Sequence, residues 1–463
     1  MTEEMSGPAP AELDPRTKRL LEGSILSNIV RLAVPNTTVM AVQVIIGLLE
    51  VYFVSGLGVD ALAGVSQVFP LVSLMIAVSQ GAVGGGIVTA IARCLGRGEL
   101  RSASEYAWYS LAFSAVFGLL TTTVMECFGS DLYRLMGAHD ATLEIANSYS
   151  RIIFGGVVLM WSFNLLMASI RGTGNLVVPV VVVCSCAVIV IPLSPFLIYG
   201  GWGMHGLGAA GGAVAMLVYY GMGTVAYGLF IWLHKGVLMP TKSVPRLTLA
   251  PALGVLRIGG MSALVGSSTN LTLAIVTAYV GLHGTEALAG YGSASRLEFL
   301  LVPLSYGVGG PVGILVSTNL GAGQVDRAVK ASWLGVAIAA GVTEAIGVCA
   351  ALLPDVWTGI FTSDPVVQSV GAQYLRVVGP FFGFFGIGYV LYCTGQATGR
   401  LALPVFGALT RAAIAIVGGY LLLGIHGNLR SNFVAVSVGM VCFGLAALPA
   451  LVARVGYKPR SAR

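Results

Sequence analysis

The chain has 463 residues, 56% of them hydrophobic and 10% charged, with a formal net charge of +6. A soluble domain is about a quarter charged, so these proportions exclude an ordinary soluble enzyme and point to the bilayer. The basic excess lies in short loops and tails, so a nucleic-acid partner is excluded as well.

Residues 1–25 are polar, mixed in charge and without an apolar core, which reads as a cytoplasmic tail rather than a cleaved leader. Twelve apolar runs follow, each long enough to cross about 30 Å of hydrocarbon. They fall at 27–55, 60–94, 103–127, 142–170, 177–200, 206–234, 252–282, 286–320, 328–353, 365–396, 401–424 and 431–455. The alternation of a membrane β-barrel is absent. Arg16, Lys18, Arg19, Arg93, Arg97, Arg101, Arg171, Lys235, Arg327, Lys330, Arg400 and Arg454 fall on the side of the termini. The opposite loops carry Arg134 and Arg430 among Asp60, Asp131, Asp140, Asp355 and Asp364. Lys and Arg favour the cytoplasmic face, so both termini are expected there, in a multi-pass protein of the cell (inner) membrane.

The runs are duplicated. Gly58-Val-Asp-Ala-Leu-Ala-Gly64 returns as Gly284-Thr-Glu-Ala-Leu-Ala-Gly290, and Leu95-Gly-Arg-Gly98 as Leu320-Gly-Ala-Gly323. Tyr149-Ser-Arg151 returns as Tyr374-Leu-Arg376, and Gly172-Thr-Gly174 as Ala397-Thr-Gly399. The offset stays at 225 or 226. Six crossings per copy is an even number, so the copies are parallel repeats. The expected units are an N-lobe at 26–235, a Pro-rich linker at 236–251, a C-lobe at 252–455 and a tail at 456–463.

Few residues in these runs carry charge. Glu50 lies in the first run, where a carboxylate costs several kcal/mol unless it faces a partner or water. Its repeat position holds Val276. Asn36, Gln43 and Glu50 are seven apart and share one helical stripe, which with Met40 is expected to face a cavity. Glu298 replaces Val72 of the first copy, and Arg296 is about 200° away from it around the helix, so each needs a partner elsewhere. Arg411 reads as a snorkelling residue. Pro35, Pro70, Pro303, Pro311 and the cluster Gly84-Gly85-Gly86 are bending points, with Pro35 the expected hinge. The cysteines read as buried apolar residues, and the histidines have no metal-ligand spacing, so no metal and no cofactor are expected.

The hairpin Val54-x-Gly56-Leu57-Gly58-x-x-Ala61-Leu62-Ala63, Ala92-Arg93-x-Leu95-Gly96-x-Gly98, Arg171-Gly172-Thr173-Gly174-Asn175 and Asn319-Leu320-Gly321-Ala322-Gly323 occur in order. With Pro35 and the run Tyr291-Gly292 to Arg296-Leu297-Glu298, they resemble the multidrug and toxic compound extrusion (MATE) family over residues 25–455. The resemblance implies an all-α integral membrane protein. Twelve helices would form two six-helix bundles, in a V around a central cavity, exporting small amphipathic or cationic compounds by proton or sodium antiport. One branch keeps its key carboxylate on the first helix, as Asp in a member of that branch, and Glu50 falls there. The branch's Asn-x-x-x-Asp-Pro pattern on helix five is here Val190-Ile-Pro-Leu-Ser194-Pro195, without either polar member. Without a multi-carboxylate cage of the kind hard cations favour, the reading moves from sodium toward proton coupling. Glu50 and Glu298 are the candidate coupling residues, and Asn36, Met40, Gln43 and Arg296 the candidate cavity residues of a monomeric exporter. The alternatives are a sodium-coupled exporter and a lipid-linked precursor flippase. An intramembrane enzyme would need metal or paired-Asp motifs that do not occur.

Overall fold

The computed structural model describes residues 14–201, 204–233, 235–241, 243–421 and 428–454. Most of the tail at 1–25 and all of the tail at 456–463 lie outside them. A short amphipathic helix, α1 (Pro15–Glu22), opens the described chain; Asp14 caps it by accepting from the Arg16 and Thr17 amides. The membrane helices of the N-lobe are α2 (Ile25–Ser55), α3 (Val59–Gly96), α4 (Leu100–Leu135), the pair α5 (Asp140–Gly155) and α6 (Val157–Gly172), α7 (Val177–Tyr199) and α8 (Ala209–Trp232). Those of the C-lobe are α9 (Leu249–Gly281), α10 (Thr285–Gly321), α11 (Val325–Leu352), α13 (Pro365–Thr398), α14 (Ala402–Leu421) and α15 (Leu429–Val452). The short α12 (Pro354–Thr358) follows α11. With α5 and α6 as one span bent by 47°, the described residues hold twelve crossings, in two repeats that form a V.

Turn chemistry explains why the two copies keep the same frame. Gly58 and Gly284 begin α3 and α10 at φ of 112° and 101°. Gly98 and Gly323, then Gly174 and Gly399, are likewise paired at positive φ. A side chain at any of these six would be strained, so the hairpins preserve glycine while the helices between them diverge.

The expected bending points divide. α2 runs unbroken through Pro35, and α10 through Pro303 and Pro311. The irregularity in α3 is a π-helical stretch, Ala77–Val83, ending against the glycine cluster at Gly84. A second π-helical stretch, Ile414–Gly418, lies in α14. Such stretches loosen the helical ladder and leave carbonyls for other donors.

The lobes meet at the end of the molecule that carries α1. There Gly96 of α3 lies against the Thr318 carbonyl of α10, and Gly321 against the Arg93 carbonyl, so two backbones touch with no side chain between them. Gly86 faces Val255 of α9, and Gly307 of α10 faces Thr37 of α2. In the half of the bundle farther from α1, α2 turns Val44, Ile45, Leu48 and Tyr52 outward as exposed residues.

Candidate functional site

Three polar assemblies stand out from the apolar framework. The first is built on Glu50, which is buried at 9% exposure near the end of α2 farther from α1. The Tyr149 hydroxyl of α5 donates to its Oε1. Gly212 of α8 faces the same carboxylate; a Cβ there would lie 3.3 Å from Oε1, so the missing side chain leaves room for it. Among the described residues Glu50 makes no ion pair.

The second is built on Glu298 of α10. Arg411 of α14 reaches its Oε1 at 2.8 Å, and the Tyr374 hydroxyl of α13 donates to Oε2 at 2.6 Å. Both charged side chains are about 95% covered, at 4% and 5% exposure. The guanidinium lies 5.1 Å from the Phe385 ring centre and 6.0 Å from that of Phe443. Arg411 therefore does not snorkel: a carboxylate two helices away in the packing holds it inside the lobe. Arg296, in contrast, is exposed and lies over Phe361, 5.1 Å from its ring centre. The helical angle that separates it from Glu298 sends the two residues to different surroundings.

Tyr149 and Tyr374 are the same position of the repeat, 225 residues apart. Each donates its hydroxyl to a carboxylate, but the two carboxylates come from non-equivalent helices. The tyrosine pair was visible in the sequence as a repeat match; its partners were not, because Glu50 and Glu298 do not correspond.

The third assembly is the seam between the lobes. Asn36 is buried and its Nδ2 donates to the carbonyls of Tyr306 at 3.0 Å and Gly307 at 3.3 Å. The Arg93 guanidinium donates to the Ala397 carbonyl. Gln396 of α13 crosses to the Gly81 carbonyl at 2.9 Å while also reaching Ser262 Oγ at 2.8 Å. α1 spans the seam from outside: Asn28 donates to the Arg19 carbonyl at 2.9 Å, and Asn319 and Arg327 of the C-lobe donate to the carbonyls of Leu20 and Gly23.

The π-helical stretch of α3 links two helices of its own lobe to the seam. Its Ser79 accepts from Asn164 at 2.8 Å, its Gln80 donates to Gln43 Oε1 at 3.3 Å, and its Gly81 supplies the carbonyl held by Gln396. Sequence reasoning missed Ser79, Gln80, Asn164 and Gln396, since a π insertion leaves no mark in a run that is apolar on both sides. The expected stripe of α2 exists as a row of contacts with three different neighbours. Glu50 meets Tyr149, the half-buried Gln43 meets α3, and Asn36 meets the other lobe. Met40 is buried in the apolar core, and Pro35 is half-buried within continuous helix.

A family model described as MatE matches residues 35–196 and 262–421, one segment in each lobe. The chain is 25% identical over 371 residues to a protein of Shewanella oneidensis named FAD transporter, covering 80% of this chain and 81% of that one. It is 24% identical to the probable multidrug resistance protein NorM of Thermotoga maritima, covering 82% of each. It is 22% identical to the multidrug export protein MepA of Staphylococcus saprophyticus, covering 90% and 92%. Among solved structures, an outward-facing conformation of a multidrug resistance MATE family transporter superposes with a TM-score of 0.86 at 23% identity, over 94% of this chain and 97% of that one. A MATE crystal structure in the straight conformation gives 0.87 at 23% identity, over 96% and 98%.

Proposed function

The chain belongs to the MatE family, and from that premise we propose that it is a secondary active exporter of small amphipathic or cationic compounds, driven by proton antiport through Glu50. The observation that carries the choice of residue is the contrast between the two buried carboxylates. Glu298 is neutralised in place by Arg411, whereas Glu50 has a hydroxyl donor and no cation. A paired carboxylate holds its charge; an unpaired one in an apolar lobe relieves its cost by taking a proton or a cationic ligand. Glu298 thus serves the architecture of the C-lobe, and Glu50 the exchange. A single carboxylate, with no cluster of three metal-binding side chains among the described residues, favours the proton over sodium.

Placing the α1 end in the cytoplasm, as the basic loops favour, puts the closed seam of the described state on the cytoplasmic side. The cycle then runs along α2. Glu50 and Asn36 are fourteen residues apart, about 21 Å of helix, so one rigid element carries the carboxylate at one end and a seam contact at the other. Proton uptake from outside removes the charge that holds a cationic substrate. Once that substrate leaves, α2 shifts against α5 and the seam contacts give way to an inward-open state. The proton departs to the cytoplasm and the next substrate enters.

The test uses proteoliposomes carrying the full chain, with pH and sodium gradients imposed separately and a fluorescent lipophilic cation as cargo. Efflux should follow the proton gradient and be lost in Glu50→Gln. Wild-type efflux in that variant, or efflux that follows sodium at fixed pH, overturns the mechanism. The similarity to a protein named FAD transporter favours a second reading of the cargo, a phosphorylated dinucleotide, tested by loading FAD into the same vesicles.

A further inference from the structure

Arg171, in the last turn of α6, is 2% exposed, and no ion pair of the described residues includes it. Its Nε has no hydrogen-bond partner. Its guanidinium lies across the seam, 5.1 Å from the ring centre of Tyr306 in the other lobe. Gly310, one helical turn beyond Tyr306, explains how the charge fits. A Cβ at Gly310 would lie 3.2 Å from Arg171 Nη2 and 3.2 Å from Asn36 Nδ2. Two N–H donors, one of them cationic, therefore converge on a spot that the glycine of the opposite lobe fills with backbone alone.

A buried guanidinium without a carboxylate is costly, and a ring face offsets only part of that cost. The spot where the donors converge is bonding distance from the Gly310 Cα, so nothing can enter while the seam is closed. When the lobes part at this end, α10 withdraws with Gly310 and Tyr306. It leaves a planar fork and an amide facing the opening, the donor set that suits carboxylate or phosphate oxygens.

We propose that Arg171 and Asn36 form an anion site that opens at the α1 end of the lobe seam and takes a carboxylate or phosphate group. Only the source of that group rests on the exporter reading: it is either part of the transported molecule or a free anion of the compartment facing α1. In the first case the cargo extends to zwitterionic and anionic compounds. An anion bound here favours the open seam, because the closed seam has no place for it.

The test reads conformation rather than transport, so it stands apart from the choice of coupling ion. Spin labels are placed at Arg101 and Asp326, exposed positions on the two lobes, in the full chain with its native cysteines replaced by alanine. Inorganic phosphate or acetate is added to the protein in nanodiscs. Either anion should raise the population with separated labels in the wild-type sequence, and Arg171→Gln should need about tenfold more anion for the same response, the loss of one charge-assisted hydrogen bond. Arg171→Lys keeps the charge without the fork and should respond in between, which covers the case in which the glutamine variant fails to fold. No response in the wild type, or an equal response in wild type and Arg171→Lys, overturns the site. A second arm compares efflux of a fluorescent carboxylic acid with that of its methyl ester. Loss of the acid alone in Arg171→Lys assigns the anion to the cargo; equal loss of acid and ester refutes that assignment.

Discussion

The buried pair in the C-lobe allows a prediction with a worked magnitude. Arg411 and Glu298 meet at 2.8 Å with about 95% of each side chain covered. Arg411→Met leaves a buried carboxylate without its cation, and Glu298→Gln strands a buried arginine, each at a cost of about 3–5 kcal/mol. The double variant removes both charges and should recover most of the stability. The assay is detergent-titrated unfolding of the four proteins, followed by efflux from vesicles. A double variant no more stable than either single variant refutes the reasoning. A double variant that is stable yet inactive shows that Glu298 takes part in transport after all.

Tyr149→Phe removes the hydroxyl held by Glu50 without changing shape; a net loss of about 1 kcal/mol is expected, with folding kept and proton-driven efflux slowed, read in vesicles over a range of external pH. Asn36→Leu removes two bonds to α10, about 1–3 kcal/mol, and should move the conformational equilibrium toward an open seam by roughly fivefold or more, visible as label separation across the α1 end. Gly321→Val places a side chain where the Arg93 carbonyl lies, so the seam cannot close and uphill efflux should vanish while the protein still folds and purifies.

Much of the architecture was legible because the bilayer asks so little of a sequence. Twelve runs of sufficient length, basic loops on one side and a constant repeat offset leave few alternatives to two six-helix lobes. The turn glycines were legible for a local reason, since positive φ selects one residue type. The sites were legible only as far as local reasoning reaches. A heptad spacing identified the stripe of Asn36, Gln43 and Glu50, yet it says nothing about which helix each one meets. The partner of Arg411 lies 113 residues away in sequence, and that of Glu50 lies 99 away, and neither separation leaves a periodic trace. The π-helical stretch in α3 was invisible because it alters the register of carbonyls rather than the pattern of side chains.

The bonds that cross the lobe seam share one chemistry. Asn36, Arg93 and Gln396 donate, and main-chain carbonyls accept. Among the described residues no pair of opposite charges bridges the lobes. A fastening of this kind contains no group that titrates between pH 4 and pH 9 and little for added salt to screen. The seam can therefore hold with the same strength in an acidic or an alkaline surrounding, while in the proposed cycle the reading of acidity is left to Glu50 inside one lobe. Sensing and fastening would then be separate parts. Changes that retune the pH response should consequently cluster around Glu50, and changes that retune how long the gate stays shut should cluster along α10.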